Sequence, residues 1–473
     1  MFQGTLRKCE ANPRYFTDDS GRAIYLTGAH TWTVFQDSIV PGHPEQSDIF
    51  DYEGYLRQMQ ENHQNFLRFW CRESCLGMFH EGEELAYNEP MPYVKVGVRD
   101  NGYPVFDLTK LNDAYFERLR ERVILAGKYG IYISIMLFEA WSVDARPDYI
   151  FDRHPFYREN NVNGINGDPG PVPCRALSGE NDKNPFVPTE KLLVHTLEDR
   201  RITEIQKNYV RRVIETVNDL DNVMYEIANE AYRWSRFWQY EMIDFIHETE
   251  RGMEKQHPVW MSHLVPAQNE SLYISDADAI SPGVESTADD YCVNPPAADG
   301  AKVILADTDH LGGIWGTAQW VWKSFLRGLN PIFMDDLGHA TEMDTETENP
   351  VCMLFGRNQY GLPKDWQVPV RTAMKRAAEW AERINLTEMT PCEWVSSTKY
   401  CLAKPGEEYL IYQPESGGFK VNLYGADQTF EVEWYRPLID EKISGKPFCC
   451  PSAVDFTPPC DGEVLLHLKV KKC

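Results

Sequence analysis

The chain has 473 residues, enough for two domains with separate cores, and its 42% hydrophobic and 25% charged residues are typical of a soluble globular protein rather than a disordered one. It carries 72 Asp and Glu against 47 Lys and Arg, a formal net charge of −25 at pH 7. A surface of this sign repels phosphate backbones and anionic lipids, which disfavours nucleic acid and membrane partners and is compatible with a neutral substrate.

The cysteines and the apolar segments bear on where the chain works. Twelve cysteines lack metal-type spacing, and the C-x3-C pair Cys71 and Cys75 has no second pair nearby, so we expect buried thiols. No segment reaches the roughly 18 apolar residues of a membrane-spanning helix, and the first residues lack the apolar run of a signal peptide. The expectation is a cytoplasmic protein, or a secreted or periplasmic one whose signal has been removed.

The first part of the chain predicts a hairpin and two strands. Residues 14–21 have the character of a hairpin with an Asp-Ser-Gly turn. The apolar run 23–27 predicts a first strand, followed at its tip by His30 and Trp32, and residues 65–70 predict a second strand. A helix is predicted between them from apolar residues at helical spacing, which are Tyr52, Tyr55, Leu56 and Met59.

The middle of the chain predicts two long loops between regular elements. Residues 73–110 carry Gly, Pro and charge with little periodicity, so a loop over the barrel mouth is expected. A helix ending near residue 128 precedes the buried strand 131–138, and Glu139 follows that strand directly. Residues 142–200 are rich in Asn, Gly and Pro and predict another loop. A helical face then leads into the fourth strand, and its residues are Ile202, Ile205, Tyr209, Val213 and Val217.

The strand and helix signals add up to a barrel followed by a smaller domain. Strands are predicted to start near residues 24, 65, 131, 222, 258, 278, 302 and 331. They alternate with helices or with room for them, which is the pattern of an α/β (β/α)8 TIM barrel over residues 1–384. From residue 385 to 473, strand-length segments are separated by turns such as Pro-Gly and Ser-Gly-Gly, and these predict a small all-β sandwich domain.

Polar residues at two strand ends indicate glycosidic bond hydrolysis. The fourth strand is apolar and ends in Asn229 and Glu230, at the face where such barrels hold their active sites. The reaction needs one carboxylic acid to protonate the leaving oxygen and a second carboxylate as nucleophile or base. Glu230 fits the acid, and Asn229 could bind the neighbouring sugar hydroxyl. Asp307 is our candidate for the second carboxylate and Asp309, on the same strand face, for sugar binding, with Glu285 as an alternative second carboxylate.

Further polar and aromatic residues are predicted at the same mouth. They are His30, Trp32, Arg68, Trp70, Glu139, His263, His310, Trp315 and Asp336. Each alone could equally be a structural hydrogen-bonding group or a core aromatic, but together they favour a binding site for a carbohydrate substrate. The 13 Trp of the chain agree, because Trp stacks on the apolar faces of sugars. Arg68 has a specific role available, since its charge would keep the strand-seven carboxylate ionised.

These motifs resemble a known group of enzymes. The pair Asn229–Glu230 ending strand four, with a carboxylate ending strand seven, is similar to the clan of retaining (β/α)8 glycoside hydrolases that includes cellulases and β-galactosidases. Residues 12–28, the Ile-Ala-Asn-Glu motif and residues 409–418 resemble one outlying branch, the apiosidase-like barrels with a C-terminal β-domain of collagen-binding type. The resemblance implies the acid/base role for Glu230 and the hydroxyl contact for Asn229.

One position departs from that clan, whose strand-seven nucleophile is Glu. Asp307 is one methylene shorter, which would widen the gap between the two carboxyl groups by about 1 Å. Retaining enzymes have about 5–5.5 Å between these groups and inverting enzymes about 6.5–9.5 Å. The sequence therefore leaves the stereochemical outcome open, together with the sugar, the linkage, endo or exo action and the oligomeric state.

Two other classes of function compete with this hypothesis. A metal-dependent hydrolase could take ligands from Asp307, Asp309, His310, Asp335, Asp336 and His339, although no spaced His pair is present and no metal or cofactor is expected. A non-catalytic sugar-binding barrel could retain the cleft without the chemistry. The presence of Glu230 argues against it, because a site used only for binding gains nothing from a proton donor.

Overall fold

The computed structural model describes residues 2–77, 85–140, 151–168, 193–285, 291–313, 316–335, 367–423, 428–449 and 452–471. Eight parallel strands in this part of the chain close into a barrel in sequence order, the last pairing with the first. They are β1 (Gly28–His30), β2 (Phe66–Phe69), β3 (Tyr132–Glu139), β4 (Val223–Asn229), β5 (Val259–Ser262), β6 (Ala279–Ser281), β7 (Val303–Asp307) and β8 (Asn330–Met334). The predicted (β/α)8 barrel is confirmed.

Large side chains fill the end of the barrel where the strands begin. Phe66, Tyr132 and Val303, each the first residue of its strand or close to it, belong to one buried cluster. Leu6 and Phe16 join the cluster from the N-terminal hairpin, in which Arg7–Lys8 pairs with Phe16–Thr17. The hairpin therefore covers this end, and polar chemistry is left to the opposite end, where the strands finish.

Seven helices of the described residues lie along the barrel and its C-terminal continuation. They are α1 (Tyr52–Glu61), α2 (Asp113–Lys128), α3 (Arg200–Val217), α4 (Arg236–Glu250), α5 (Asn269–Tyr273), α6 (Ala318–Leu326) and α7 (Val368–Arg383). Four of them begin with a capping residue whose side chain accepts a hydrogen bond from a backbone N–H of the first turn. The capping residues are Asp51, Asn112, Asp199 and Thr317. None of the helices in these ranges is long and apolar enough to cross a membrane.

The sequence prediction is wrong in two places. The first barrel strand is β1, whereas residues 23–27 were predicted to form it. Side-chain amides take the place of strand partners before β1, because the N–H of Leu26 donates to Asn330 Oδ1 and that of Thr27 to Asn65 Oδ1, each at 3.0 Å.

The second error concerns residues 73–110, which were predicted as a loop. Their described part contains antiparallel pairs, Tyr87–Glu89 with Asp37–Ile39 and Tyr93–Val98 with Pro104–Leu111. Four of the six residues of Tyr93–Val98 are exposed and its register shifts twice, so the alternation that reveals a strand is weak in the sequence.

The C-terminal region is an antiparallel all-β structure, as predicted. A six-stranded sheet has the order Thr390–Pro391, Cys401–Lys404, Glu408–Gln413, Val464–Val470, Phe430–Arg436, Glu441–Ser444. A second sheet pairs Phe419–Asn422 with Ala453–Phe456, and apolar side chains of both sheets form one core, as in a sandwich. The domain boundary between residues 384 and 385 stays a prediction.

Candidate active site

Arg68 of β2 is the cation around which the polar groups of the barrel gather. Its side chain is fully buried, and Nε and Nη2 donate to the two carboxylate oxygens of Glu226 over 2.8 and 2.6 Å. Nη1 donates to Asp309 Oδ2 over 2.6 Å and lies 3.4 Å from Asp307 Oδ2. One positive charge therefore serves three carboxylates, and the cluster has an excess of negative charge.

Asp307, the last residue of β7, is held in its ionised form. Its Oδ1 lies 3.0 Å from His30 Nε2 and accepts the N–H of Asp309, also over 3.0 Å. Burial alone would raise the pKa of this carboxyl group, but the charges of His30 and Arg68 and the hydrogen bond from His30 lower it well below its ordinary value. Asp307 is thus a carboxylate over a wide pH range.

Glu230, directly after β4, is the group with the opposite tendency. Burial raises its pKa well above the ordinary value, and the charges of Asp309, Glu139 and Asp307 raise it further, while Arg68 opposes the shift. Its backbone has φ of +46°, a left-handed conformation that non-glycine residues rarely adopt. Glu230 as a whole residue is half-buried at this strained turn, and its raised pKa favours the protonated form of the carboxyl group.

Asn229 keeps one hydrogen-bond donor unused beside Glu230. Its Oδ1 accepts from Arg68 Nη2 and lies 3.3 Å from His310 Nε2. His310 Nδ1 is 2.7 Å from Ser281 Oγ, and burial, followed by the charge of Arg68, lowers the pKa of His310 so that the ring is neutral. With the amide oxygen occupied in this way, the buried Nδ2 of Asn229 has no hydrogen-bond partner among the described residues.

Two of the three predicted tryptophans, Trp32 and Trp70, are buried beside Arg68. Trp32 and Trp70 are 4% and 1% exposed and meet edge to face, with ring centroids 6.3 Å apart. The guanidinium groups of Arg68 and Arg72 lie 5.1 and 5.5 Å from the Trp70 ring centroid. The protein itself occupies these ring surfaces, so neither Trp offers an open stacking platform.

His263 follows β5 and packs beside His310, with ring centroids 5.7 Å apart. Its Nδ1 is buried without a hydrogen-bond partner in the described ranges, next to Gly283, where a Cβ atom would collide with the ring. Burial lowers the pKa of His263 to about 4. The imidazole is therefore neutral at pH 7.

Of the predicted residues, Glu285 is described and is not brought to this cluster. Glu285 is exposed, and its carboxylate accepts the N–H of Asn269 at the start of α5, which is a helix-capping contact. Trp315 and Asp336 lie outside the described residues.

The residues of the metal hypothesis do not form a ligand group in the described chain. Asp335 is bound by Arg371 and by the hydroxyl of Tyr55, and His339 lies outside the described residues. Among the residues that the structure describes, no three His, Cys, Asp or Glu side chains are grouped to hold a metal ion.

Sequence reasoning missed two residues of the site and one carboxylate beside it. Glu226 pairs with Arg68, Ser281 contacts His310, and Glu73 binds His154 and His195. A charged residue inside the otherwise buried strand β4 was a usable signal for Glu226, because such a group needs a partner. The other three contacts join residues 29, 81 and 122 positions apart and leave no local pattern.

Comparison with known proteins identifies the fold. No protein-family profile matches the sequence, and no curated protein matches it. A glycoside hydrolase family 5 structure from Bacteroides vulgatus is similar, with a TM-score of 0.61, 12% identity and coverage of 99% of this chain and 94% of that one. Another glycoside hydrolase has a TM-score of 0.57 and 11% identity, with coverage of 99% of this chain and 97% of that one. A maltogenic α-amylase from Thermotoga neapolitana has a TM-score of 0.50 and 12% identity, with coverage of 94% of this chain and 99% of that one. At these identities the likeness establishes a shared fold.

Proposed function

We propose that this protein is a glycoside hydrolase in which Glu230 is the proton donor and Asp307 the second carboxylate. The observation that carries the proposal is the contrast between two carboxyl groups at the ends of β4 and β7. The pKa of Glu230 is raised by burial and like charges, whereas that of Asp307 is lowered by His30 and Arg68 against the effect of burial. Two carboxyl groups with opposite shifts are what acid and base roles at one pH require.

In the proposed reaction, Glu230 gives its proton to the glycosidic oxygen as the bond to the anomeric carbon breaks. Asp307 either attacks that carbon, forming a glycosyl ester that water cleaves with Glu230 as base, or deprotonates the attacking water. The unused Nδ2 of Asn229 would donate to the sugar hydroxyl next to the reacting carbon, a contact that strengthens as charge develops there.

Asp309 competes with Asp307 for the role of second carboxylate. Its side chain is 8% exposed against 1% for Asp307, and its charge is the one that acts most strongly on Glu230. Burial raises the pKa of Asp309, although Arg68 opposes this, so Asp309 is less firmly ionised than Asp307. Asp307 is the more firmly ionised of the two candidates, and Asp309 is the more accessible to a substrate. Substitution of each residue decides which one is the second carboxylate.

The test is turnover of aryl glycosides of neutral sugars by wild type and by Glu230→Gln, Asp307→Asn and Asp309→Asn. We expect hydrolysis of at least one glycoside, with losses of at least ~10³-fold in the first two variants. A loss of less than tenfold in Asp307→Asn would transfer the role to Asp309. Equal absence of turnover in wild type and Glu230→Gln across the panel would instead support a sugar-binding barrel without catalysis.

Azide provides a further check of the second carboxylate. If it is a nucleophile, azide can replace it in the Asp→Ala variant and restore turnover with a glycosyl azide as product. Rescue of Asp307→Ala and none of Asp309→Ala is the expected result for a retaining enzyme.

The likeness to apiosidase-like barrels with a collagen-binding-type β-domain extends this proposal. It is supported by the strand-four motif and by the all-β region that follows the barrel. In this proposal residues 1–384 form the catalytic domain, residues 385–473 form the β-sandwich domain, and the substrate is a neutral carbohydrate.

A further inference from the structure

A carboxylate outside the cluster around Arg68 ties together several segments near the mouth. Glu73, in the segment after β2, has its Oε1 3.1 Å from His154 Nε2 and its Oε2 3.2 Å from His195 Nε2. Oε2 also accepts the backbone N–H of Glu139, the last residue of β3, over 2.8 Å. One side chain therefore joins the segment after β2, the end of β3 and two segments of the long insertion between β3 and α3.

The direction of these hydrogen bonds follows from their geometry. His154 Nδ1 accepts the N–H of Phe156 over 2.9 Å, so the proton of the neutral ring must sit on Nε2, which donates to Glu73. Burial lowers the pKa of His154. Burial opposes ionisation of Glu73, but His195 and His154 outweigh it and bring the pKa of Glu73 to about 2. Glu73 is thus an ionised acceptor at any pH at which the protein would work.

The end of β3 that Glu73 holds lies against the proposed acid. Glu139 is the register partner of Asn229, and the N–H of Ala140 donates to the carbonyl of Asn229 over 3.0 Å. The next residue is Glu230, with its left-handed backbone. The charge of Glu139 is also one of those that raise the pKa of Glu230. A displacement of the end of β3 would therefore reach Glu230 through both the backbone and the electrostatic field.

We propose that Glu73 is a positioning residue for Glu230, acting through the end of β3 without contacting the substrate. This inference rests on the proposed function for its effect on catalysis. Its structural part, the fixing of the Glu139 peptide by the Glu73 carboxylate, stands on the hydrogen bonds alone. His154 uses Oε1, whereas His195 and the Glu139 N–H both use Oε2. An amide at position 73 must therefore turn its NH2 group either towards His154 or towards the other two donors.

The test is Glu73→Gln with Glu408→Gln as matched control. Glu408 is also a buried carboxylate bound by a histidine, His467 at 2.8 Å, but it lies in the C-terminal sheet. Hydrogen–deuterium exchange should become faster in the peptide that contains residues 139–140 of Glu73→Gln and stay unchanged there in the control. If Glu73→Gln does not fold, His154→Phe replaces it in the test. This variant keeps a ring that can stack on Phe151 and removes one of the donors to Glu73. Exchange at residues 139–140 should again become faster, by less than is expected for Glu73→Gln.

Kinetics provide a readout that a merely structural role would not move. In Glu73→Gln we expect kcat to fall about tenfold or more with KM changed less than about threefold, because a small misplacement of the acid costs rate more than binding. The basic limb of the kcat/KM profile should move to lower pH, because Glu139 would raise the pKa of Glu230 less.

The outcomes separate the two proposals. Unchanged hydrogen–deuterium exchange at residues 139–140 overturns the role of Glu73. So does a variant with a lower melting temperature whose kcat, corrected for the folded fraction, and basic limb both equal those of the wild type. If exchange at these residues becomes faster in Glu73→Gln but the wild type hydrolyses no glycoside, Glu73 does fix the end of β3. In that case the proposed function is contradicted and the structural role of Glu73 is supported.

Discussion

At the scale of single residues, the site is governed by how one guanidinium is shared. Arg68 contacts Glu226, Asp307 and Asp309, and burial together with this uncompensated charge leaves the pKa of Glu226 and of Asp309 above the ordinary value. The pKa of Asp307 is lowered instead, because His30 is a second partner of this carboxylate besides Arg68. The difference between the carboxyl groups therefore depends on His30 as much as on Arg68.

His30→Asn tests that dependence. His30 lowers the pKa of Asp307 through its charge and its hydrogen bond, so its loss should raise that pKa. The acid limb of the pH–kcat/KM profile should then move upwards by roughly one pH unit, while the basic limb set by Glu230 moves less. In profiles measured between pH 3 and 9, the acid limb of Asp307 should be absent or only beginning at the lowest pH in the wild type and clearer in His30→Asn. An acid limb that stays in place in His30→Asn would remove Asp307 from the mechanism.

At the scale of elements, buried runs were predictable and partners distant in sequence were not. The eight strands and most helices follow from apolar periodicity, as in β3, where every residue is buried. The position of β1 was missed because Asn65 and Asn330 replace strand partners before it. Glu230 and Asp307 could be proposed as site residues because each stands at the end of a predicted strand. The contacts of Arg68 span 158 to 241 residues and have no sequence signature.

The contact between the loops after β5 and β6 gives a prediction at this scale. Gly283 leaves no room for a Cβ atom against the His263 ring, so Gly283→Ala should displace that ring within the mouth. We expect kcat/KM to fall by about tenfold or more with the fold retained. Gly252→Ala is the control, since a Cβ atom there meets nothing within 4 Å. Equal kinetics of the two variants would show that His263 takes no part in substrate binding.

At the scale of the whole molecule, the C-terminal sheet shares a core with the barrel helices. Trp322 of α6 lies against Tyr412, with ring centroids 6.3 Å apart, and Trp380 of α7 against Tyr435, at 5.5 Å. These residues belong to the same buried cluster as the outer layer of the barrel. The two parts are therefore expected to unfold together.

Truncation after residue 384 tests this coupling. It would expose the apolar faces of α6 and α7 that now cover Tyr412 and Tyr435. We expect residues 1–384 alone to be aggregation-prone or to melt at a clearly lower temperature than the full chain. Calorimetry of both forms gives the comparison, and an unchanged melting temperature with full activity would show that the barrel is independent.

The most direct measurement of the central claim is the dependence of Glu230→Gln on the leaving group. A leaving group such as dinitrophenolate needs no proton, whereas an alkoxide does, so only the second requires the acid. We expect the variant to lose ~10³-fold on alkyl glycosides and less than about tenfold on dinitrophenyl glycosides of the same sugar. Equal losses on both, or none on either, would contradict Glu230 as the proton donor.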